Sequence, residues 1–246
     1  AVSAQNRGEA FDLAAINNNL QKTVESMGNS YEGIFVTDLK GNIFAGSIEG
    51  GKREGKHYSG INVAERDYFK KTISSGDASI GDPIKSRATD DVISIVCAPI
   101  KSSGSNVEGT FCMVIRLSNF TGIISSRKIG KTGYGYMVDK NALLIAHPVK
   151  EMILSGNLHK LKGMEEFASQ IVSGNSRVAS YSYKGVPKIS GYAPVEITDW
   201  YVGLTQDSDE FMSAVNSIRN SAVMIAVISL VIGIIPILFL AKKMLI

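Results

Sequence analysis

The stretch from Ala222 to Ala241 carries no charged residue and is dominated by Ile, Val, Leu, Met and Phe, which constrains the fold more tightly than anything else in the chain. At about 1.5 Å of rise per residue, a helix of about 20 residues covers roughly 30 Å, the thickness of a bilayer's hydrocarbon core. Lys242 and Lys243 follow at once. Positive charge beside a span marks its cytoplasmic side, so the residues before Ala222 are expected to lie outside. A buried helix of a large soluble protein is the alternative, but such helices rarely run this far without a polar face. Pro236 does not count against a span, because membrane helices tolerate proline where neighbours satisfy the freed carbonyl. The N-terminus has neither a basic start nor an apolar signal core, so outward placement is expected to depend on a first membrane helix upstream.

A chain of 246 residues can hold one large or two small domains. Its formal charge of +3 is spread along the sequence rather than gathered into a basic stripe, which excludes nucleic acid as a partner. Between Ala10 and Met27 the apolar positions Leu13, Ile16, Leu20, Val24 and Met27 recur at helical spacing, so residues 1–30 read as the C-terminal part of a long helix. Gly33 to Val36 and Asn42 to Ala45 flank the turn Asp38-Leu39-Lys40-Gly41 and predict a hairpin. A short helix over Glu65 to Ile73 and strands over Val92 to Ile100 and Val107 to Leu117 follow, the strands joined by Ser102-Ser103-Gly104-Ser105. The plan then repeats: a hairpin at Tyr134 to Val138 and Leu143 to Ala146, a helix at Met164 to Val172, and strands at Arg177 to Tyr183, Lys188 to Ala193 and Trp200 to Thr205.

This repetition predicts an α+β fold of two small modules, 31–129 and 130–206, each a sheet covered by helices. A linking helix over 207–221, the span at 222–241 and the start of a cytoplasmic segment at 242–246 complete the division. No proline or glycine interrupts Asp207 to Asn220, so the second module and the membrane helix are expected to be mechanically continuous.

Four stretches point to a family. Arg66-Asp67-Tyr68-Phe69 lies on the short helix of the first module. Asp82-Pro83 precedes the strand Val92-Ile93-Ser94-Ile95-Val96-Cys97-Ala98-Pro99-Ile100. Gly130-Lys131-Thr132-Gly133-Tyr134-Gly135-Tyr136-Met137-Val138-Asp139 opens the second module and leads to Ala146-His147-Pro148. Gly191-Tyr192-Ala193-Pro194-Val195 comes before Trp200-Tyr201-Val202-Gly203. Together they resemble the double Cache sensor family of bacterial receptors, over nearly the whole chain. The resemblance implies a long N-terminal helix with two tandem PAS-like (Cache) modules, followed by one transmembrane helix. It also implies the extracytoplasmic sensing region of a methyl-accepting chemotaxis receptor in the bacterial inner (plasma) membrane, with no catalysis, no cofactor, and dimerisation through the N-terminal helices.

In that family the ligand sits in the membrane-distal module, between the short helix and the facing strands. This places Arg66 first among the candidate site residues, since a guanidinium can clamp a carboxylate through two parallel hydrogen bonds. Tyr68 and Phe69 would wall out water, and Tyr58, Lys85, Ser86, Asp91 and Ser94 are further lining residues. Against this stand blander readings: Arg66 as a surface residue paired with Glu65 or Asp67, the aromatics as core, the remainder as solvated surface. Amino-acid-binding members carry a tyrosine and an acid after the strand proline and an aspartate in the last distal strand. Here Ile84, Ser86 and Val114 stand at those places. Arg66 and Lys85 without a matching acid favour a small carboxylate or other anion as ligand.

Other chemistry finds little footing. Gly130-Lys131-Thr132 invites a phosphate loop, but Ser125 stands where the motif needs its first glycine. His57, His147 and His159 have neither metal-ligand spacing nor cysteine companions, and His147 before Pro148 reads as structural. Cys97 and Cys112 can face each other across the hairpin turn; with the register open, two reduced core cysteines are the expectation and a disulfide the alternative. No nucleophile elbow, kinase signature or placed carboxylate pair supports catalysis. The rival readings are the input region of a histidine kinase or cyclic-dinucleotide enzyme, and a membrane-anchored extracytoplasmic enzyme or adhesin.

Overall fold

The computed structural model describes residues 1–48, 58, 60–126 and 129–244. His57 and most of the Gly- and Lys-rich loop around it lie outside the described residues. The N-terminal segment is two helices rather than one long one: α1 (Val2–Arg7) and α2 (Leu13–Met27). Gly8 ends α1 in the left-handed conformation, φ 68°, and Asp12 caps α2 by accepting the Ala15 N–H at 2.9 Å. The expected long helix is therefore shortened to 15 residues. Its inner face, Ile16 and Leu20, packs on Val36 and Ala45 of the first sheet.

That sheet is built from β1 (Tyr31–Thr37), β2 (Ile43–Ile48), β3 (Ser79–Ile80), β4 (Ile84–Lys85), β5 (Val92–Lys101) and β6 (Val107–Arg116), with α3 (Asp67–Ser75) crossing one face. All pairings are antiparallel, in the order β2-β1-β6-β5-β3, with β4 also on β5. After α4 (Ser118–Ser126), which the sequence pattern does not announce, the second module supplies β7 (Tyr134–Val138), β8 (Leu144–Ala146), α5 (Glu165–Ile171), β9 (Arg177–Tyr183), β10 (Val186–Val195) and β11 (Trp200–Asp207). Its order is β8-β7-β11-β10-β9. With β4 set aside, the strands ranked within each module follow one order, and the repeated plan read in the sequence is a repeated topology.

The same turn device starts both sheets. Buried Asp38 accepts the N–H groups of Lys40 and Asn42, both at 2.9 Å, and buried Asp139 accepts those of Asn141 at 2.9 Å and Leu143 at 2.8 Å. An aspartate that bonds the backbone ahead of it closes each hairpin without relying on strand pairing alone. The modules meet in one apolar cluster, where Ile80, Val92 and Leu117 pack with Met137, Ile145 and Trp200. Lys140, in the β7–β8 turn, also pairs with Asp82 at 3.0 Å.

Cys97 and Cys112 are directly opposed across β5 and β6, fully buried, and joined as a disulfide with Cα atoms 4.1 Å apart. This corrects the expectation of reduced cysteines; the hairpin register that puts them in one cross-strand pair was not fixed by the sequence.

The chain leaves the second module through α6 (Ser208–Met244). Among the described residues it is the one helix long and apolar enough to cross a membrane, and Ala222 to Ile234 are exposed along its whole circumference. Ahead of that apolar part, Glu210 ties the helix to the linker between the modules. Its carboxylate accepts the N–H groups of Lys131 at 2.6 Å and Thr132 at 2.9 Å and the Thr132 hydroxyl at 2.5 Å. Gly130 is needed here: it sits at φ 60°, and a Cβ would run into Glu210 and Gln206.

Two outcomes are expected. Replacing both cysteines by alanine should lower stability to urea by about 2–4 kcal/mol, as expected for a cross-link closing a loop of this length; a loss below about 0.5 kcal/mol would show that the hairpin alone holds the register. The donors around Glu210, led by the Thr132 hydroxyl, bring its carboxyl down to about 2. A group depressed in this way stabilises the fold above its unfolded pKa of about 4.3, and the contribution is lost as pH falls through the folded value. Carboxyl NMR should place the Glu210 midpoint near the bottom of the acid range, and a midpoint near its unfolded value would mean that the clamp is open in solution.

Candidate functional site

In the distal module a cavity of about 40 Å³ lies between the sheet, the chain leading into α3 and the loop after β4. A water molecule needs about 10–15 Å³ on this measure, so the space as it stands holds about three. Phe35, Ile43, Val63, Ile93, Ile95 and Val114 give it an apolar wall. Three charged groups reach it: Glu32, Arg66 and Arg87.

Glu32 is fully buried. Strict alternation along β1 would put it on the opposite face from Gly33 and Phe35, towards α2. The register of β1 on β6 slips between Tyr31 and Gly33, and this bulge turns the carboxylate into the cavity. There it accepts the hydroxyls of Tyr58 at 2.9 Å, Ser86 at 2.8 Å and Thr89. No cation lies within ion-pair distance of it among the described residues. A carboxylate has about four lone-pair positions, so one remains open. Burial, and then the neighbouring Glu32, raises the Tyr58 phenol well above its ordinary range, which keeps it a neutral donor. Burial acts in the same direction on Tyr68.

Arg66 immediately precedes α3 in an extended conformation. Its sequence neighbours are both engaged elsewhere, Glu65 by Lys70 at 2.7 Å and Asp67 by the Asp82 N–H at 3.1 Å. Among the described residues no side-chain hydrogen bond or ion pair engages Arg66, which is half-buried, or Arg87, which is exposed, and both line the cavity. The surface-pair reading of Arg66 is thereby removed.

Of the residues picked out in the sequence, Tyr58, Arg66, Tyr68 and Ser86 line this cavity, as do Ile84 and Val114. The other four do not. Lys85 alternates outward between Ile84 and Ser86 and meets Asp90 at 3.4 Å. Ser94 lies between the inward Ile93 and Ile95 and donates to the Gly81 carbonyl at 2.9 Å. Asp91 accepts from Arg116 Nε at 3.1 Å at the end of β5. Phe69, one step round α3 from Tyr68, is buried core. Glu32, Arg87 and Thr89 were not anticipated. For Arg87 and Thr89 the signal available was proximity to Ser86; for Glu32 it was only an acid inside an apolar strand run. Among the described residues no cluster of His, Cys, Asp or Glu could hold a metal ion.

The Cache-domain family model matches residues 3–215. The chain belongs to the Cache domain family. Cache sensor domains of chemoreceptors bind ligands and are not enzymes. Among curated proteins, the methyl-accepting chemotaxis protein McpA of Bacillus subtilis is 26% identical over 178 residues, 72% of this chain and 25% of McpA. The chain thus spans about a quarter of the length of the curated relatives it matches. Among solved structures, the ligand-binding domain of the amino acid chemoreceptor PctB of Pseudomonas aeruginosa, in complex with L-Arg, superposes with a TM-score of 0.61 at 16% identity, covering 85% of this chain and 83% of that one. The extracellular domain of the histidine kinase mmHK1S-Z3 gives a TM-score of 0.67 at 17% identity, covering 88% and 87%. At these identities the likeness is one of fold.

Replacing Glu32 with alanine would leave three hydroxyls without their acceptor, two of them buried. At about 1–3 kcal/mol for a buried group left unpaired, the variant should lose at least about 2 kcal/mol of stability in denaturant unfolding, and a neutral result would show that water can take the place of the carboxylate.

Proposed function

We propose that this chain is the sensing region of a bacterial chemoreceptor and that its distal cavity binds a small molecule carrying a carboxylate at one end and an amino group at the other. The observation that carries the reading is a fully buried carboxylate, with no ion pair among the described residues, in a cavity also lined by two arginines whose side chains have none there either. A buried charge without a partner is costly, and a ligand ammonium at the open position of Glu32 would supply one. Arg66 and Arg87 would hold the carboxylate end. The sequence alone favoured a plain anion because it offered no acid; Glu32 changes that balance. PctB bound to L-Arg, and the related PctC bound to GABA, are neighbours whose ligands carry both groups.

Transmission follows the covalent and polar chain from the cavity. Arg66 is joined to Asp67, which holds the Asp82 N–H; Asp82 pairs with Lys140 of the second module. From there the second sheet, the Glu210 clamp and α6 carry the displacement towards the membrane, with the span placed at 222–241 and the distal and proximal modules at 31–129 and 130–206. The receptor works as a homodimer in the inner membrane, its sensor outside, and feeds a chemotaxis output; the relatives McpA and TlpB of Bacillus subtilis are methyl-accepting chemotaxis proteins. A ligand can drive this only if it prefers one arrangement of the modules over the other.

Isothermal titration of the whole chain in nanodiscs tests the site, using α-amino acids, γ-aminobutyrate, plain monocarboxylates and amines. Zwitterions should bind more tightly than either half alone. Arg66→Ala should weaken them about tenfold or more, the loss of a charge-assisted pair. Glu32→Gln should weaken zwitterions and leave monocarboxylates nearly unchanged. A ligand without charge, or one indifferent to Arg66→Ala, would overturn the reading.

A further inference from the structure

The proximal module contains a second cavity at the topological equivalent of the distal one: it opens beside β7 and β8, the counterparts of β1 and β2, under the crossover that leads into α5. Tyr134, Tyr136, Tyr181, Tyr183, His147 and Met164 line it, and it encloses about 30 Å³. Its chemistry is opposite to that of the distal cavity, because among the described residues no charged side chain lines it. Lys188, whose ammonium stands 5.5 Å over the Tyr134 ring, is already paired with Asp207 at 2.5 Å.

Two features make this more than core packing. The first is unspent hydrogen-bonding capacity. Tyr136 and Tyr181 give their hydroxyls to Ser190 and Thr205, both at 2.8 Å, whereas the hydroxyls of Tyr134 and Tyr183 have no partner among the described residues. His147 Nδ1 is held by Val149, whose N–H lies at 3.0 Å and whose carbonyl lies at 3.3 Å, while Nε2 has no partner among the described residues. Burial lowers the His147 pKa, so the ring stays neutral. The second is adaptability: the thioethers of Met152 and Met164 border the space, and unbranched methionine can swing to enlarge it.

We propose that this cavity is a second ligand site, for a small uncharged molecule with an aromatic or alicyclic body and one hydrogen-bond acceptor. The tyrosine rings offer faces and edges for a ring to pack against. The phenols of Tyr134 and Tyr183 offer donors, and His147 Nε2 offers a further hydrogen-bonding position. A charged ligand would be stripped of water with nothing to balance it. The site also lies next to the exit of the chain, since Tyr134 is linked through Lys188 and Asp207 to the residue that starts α6.

The test uses the whole chain in nanodiscs with ¹³C-methyl methionine, titrated with benzyl alcohol, toluene and benzoate. The Met152 and Met164 methyl signals should shift and saturate with benzyl alcohol, at concentrations about fivefold lower than with toluene, the worth of one hydrogen bond, and benzoate should move them least. His147→Phe should bring benzyl alcohol down to the level of toluene. Leu144→Phe, which fills the cavity, should abolish the shifts while leaving titration of the distal site intact, and that second titration reports that the variant is folded. Shifts at Met152 and Met164 that never saturate and run in step with Met224 would mean partition into lipid and overturn the proposal, as would benzoate binding as tightly as benzyl alcohol. The distal site is read separately through Arg66→Ala, so either site can fail without the other.

Discussion

One carboxylate organises the distal module. Glu32 arises from the first strand, Tyr58 from the segment that follows the hairpin, and Ser86 and Thr89 from the loop after β4, and the three hydroxyls converge on it. Segments separated by up to 57 residues are thereby held around a single acceptor. In an apolar surrounding such bonds are strong, and the cost of leaving one unmade is large, so the loop carrying Arg87 and the wall carrying Tyr58 are fixed relative to the sheet. The bulge that delivers Glu32 is thus a structural requirement as well as a feature of the site. A regular strand would place the acid against α2, where Ile16 and Leu20 offer it nothing.

The two modules share strand order, hairpin turn and cavity position, yet their cavities have opposite character. The distal one combines a buried acid with two arginines, and the proximal one is walled by neutral rings. Topology fixes where a cavity can form, between the sheet and the crossover that covers it. The residues at a few inward positions decide what can enter. A fold repeated twice along one chain separates these two effects, because the scaffold is held constant while the lining changes.

The sequence made much of this legible. The apolar stretch after Asn220, the alternation of the strands and the repeated hairpin plan point to the fold, and the Arg66-Asp67-Tyr68-Phe69 stretch leads directly to the cavity. What escaped did so for local physical reasons. Glu32 was hidden because a bulge reverses the face that alternation assigns, and bulges leave no reliable mark in a single sequence. Lys85 and Ser94 were assigned to the site when their neighbours in alternation, Ile84, Ser86, Ile93 and Ile95, are the ones that face it. The disulfide depended on hairpin register, which one residue of slip would change. The helix α4, with Gly122 and Thr121 at its centre, owes little to propensity and packs on β7 and β8. The break at the N-terminus was readable: Gly8 followed by Asp12 is a stop followed by a start.

The mechanical problem of such a receptor is to pass a change of a few side chains to a helix that leaves from the far module. Packed interiors suit this, because they deform little and rearrange between discrete states. The apolar cluster around Trp200 joins the modules and resists sliding, while Lys140 and Asp82, each about two-fifths exposed, form a joint that can part and re-form at little cost. On the proposed receptor reading, the movement would be a rocking about the cluster, with the ion pair opening or closing at its rim. The Asp67 link to Asp82 couples α3, and hence Arg66, to that rim. At the other end the Glu210 clamp makes the linker and the first turn of α6 move as one piece. The exposed Lys140–Asp82 pair therefore lies between the modules, which is where a two-state switch has to be soft.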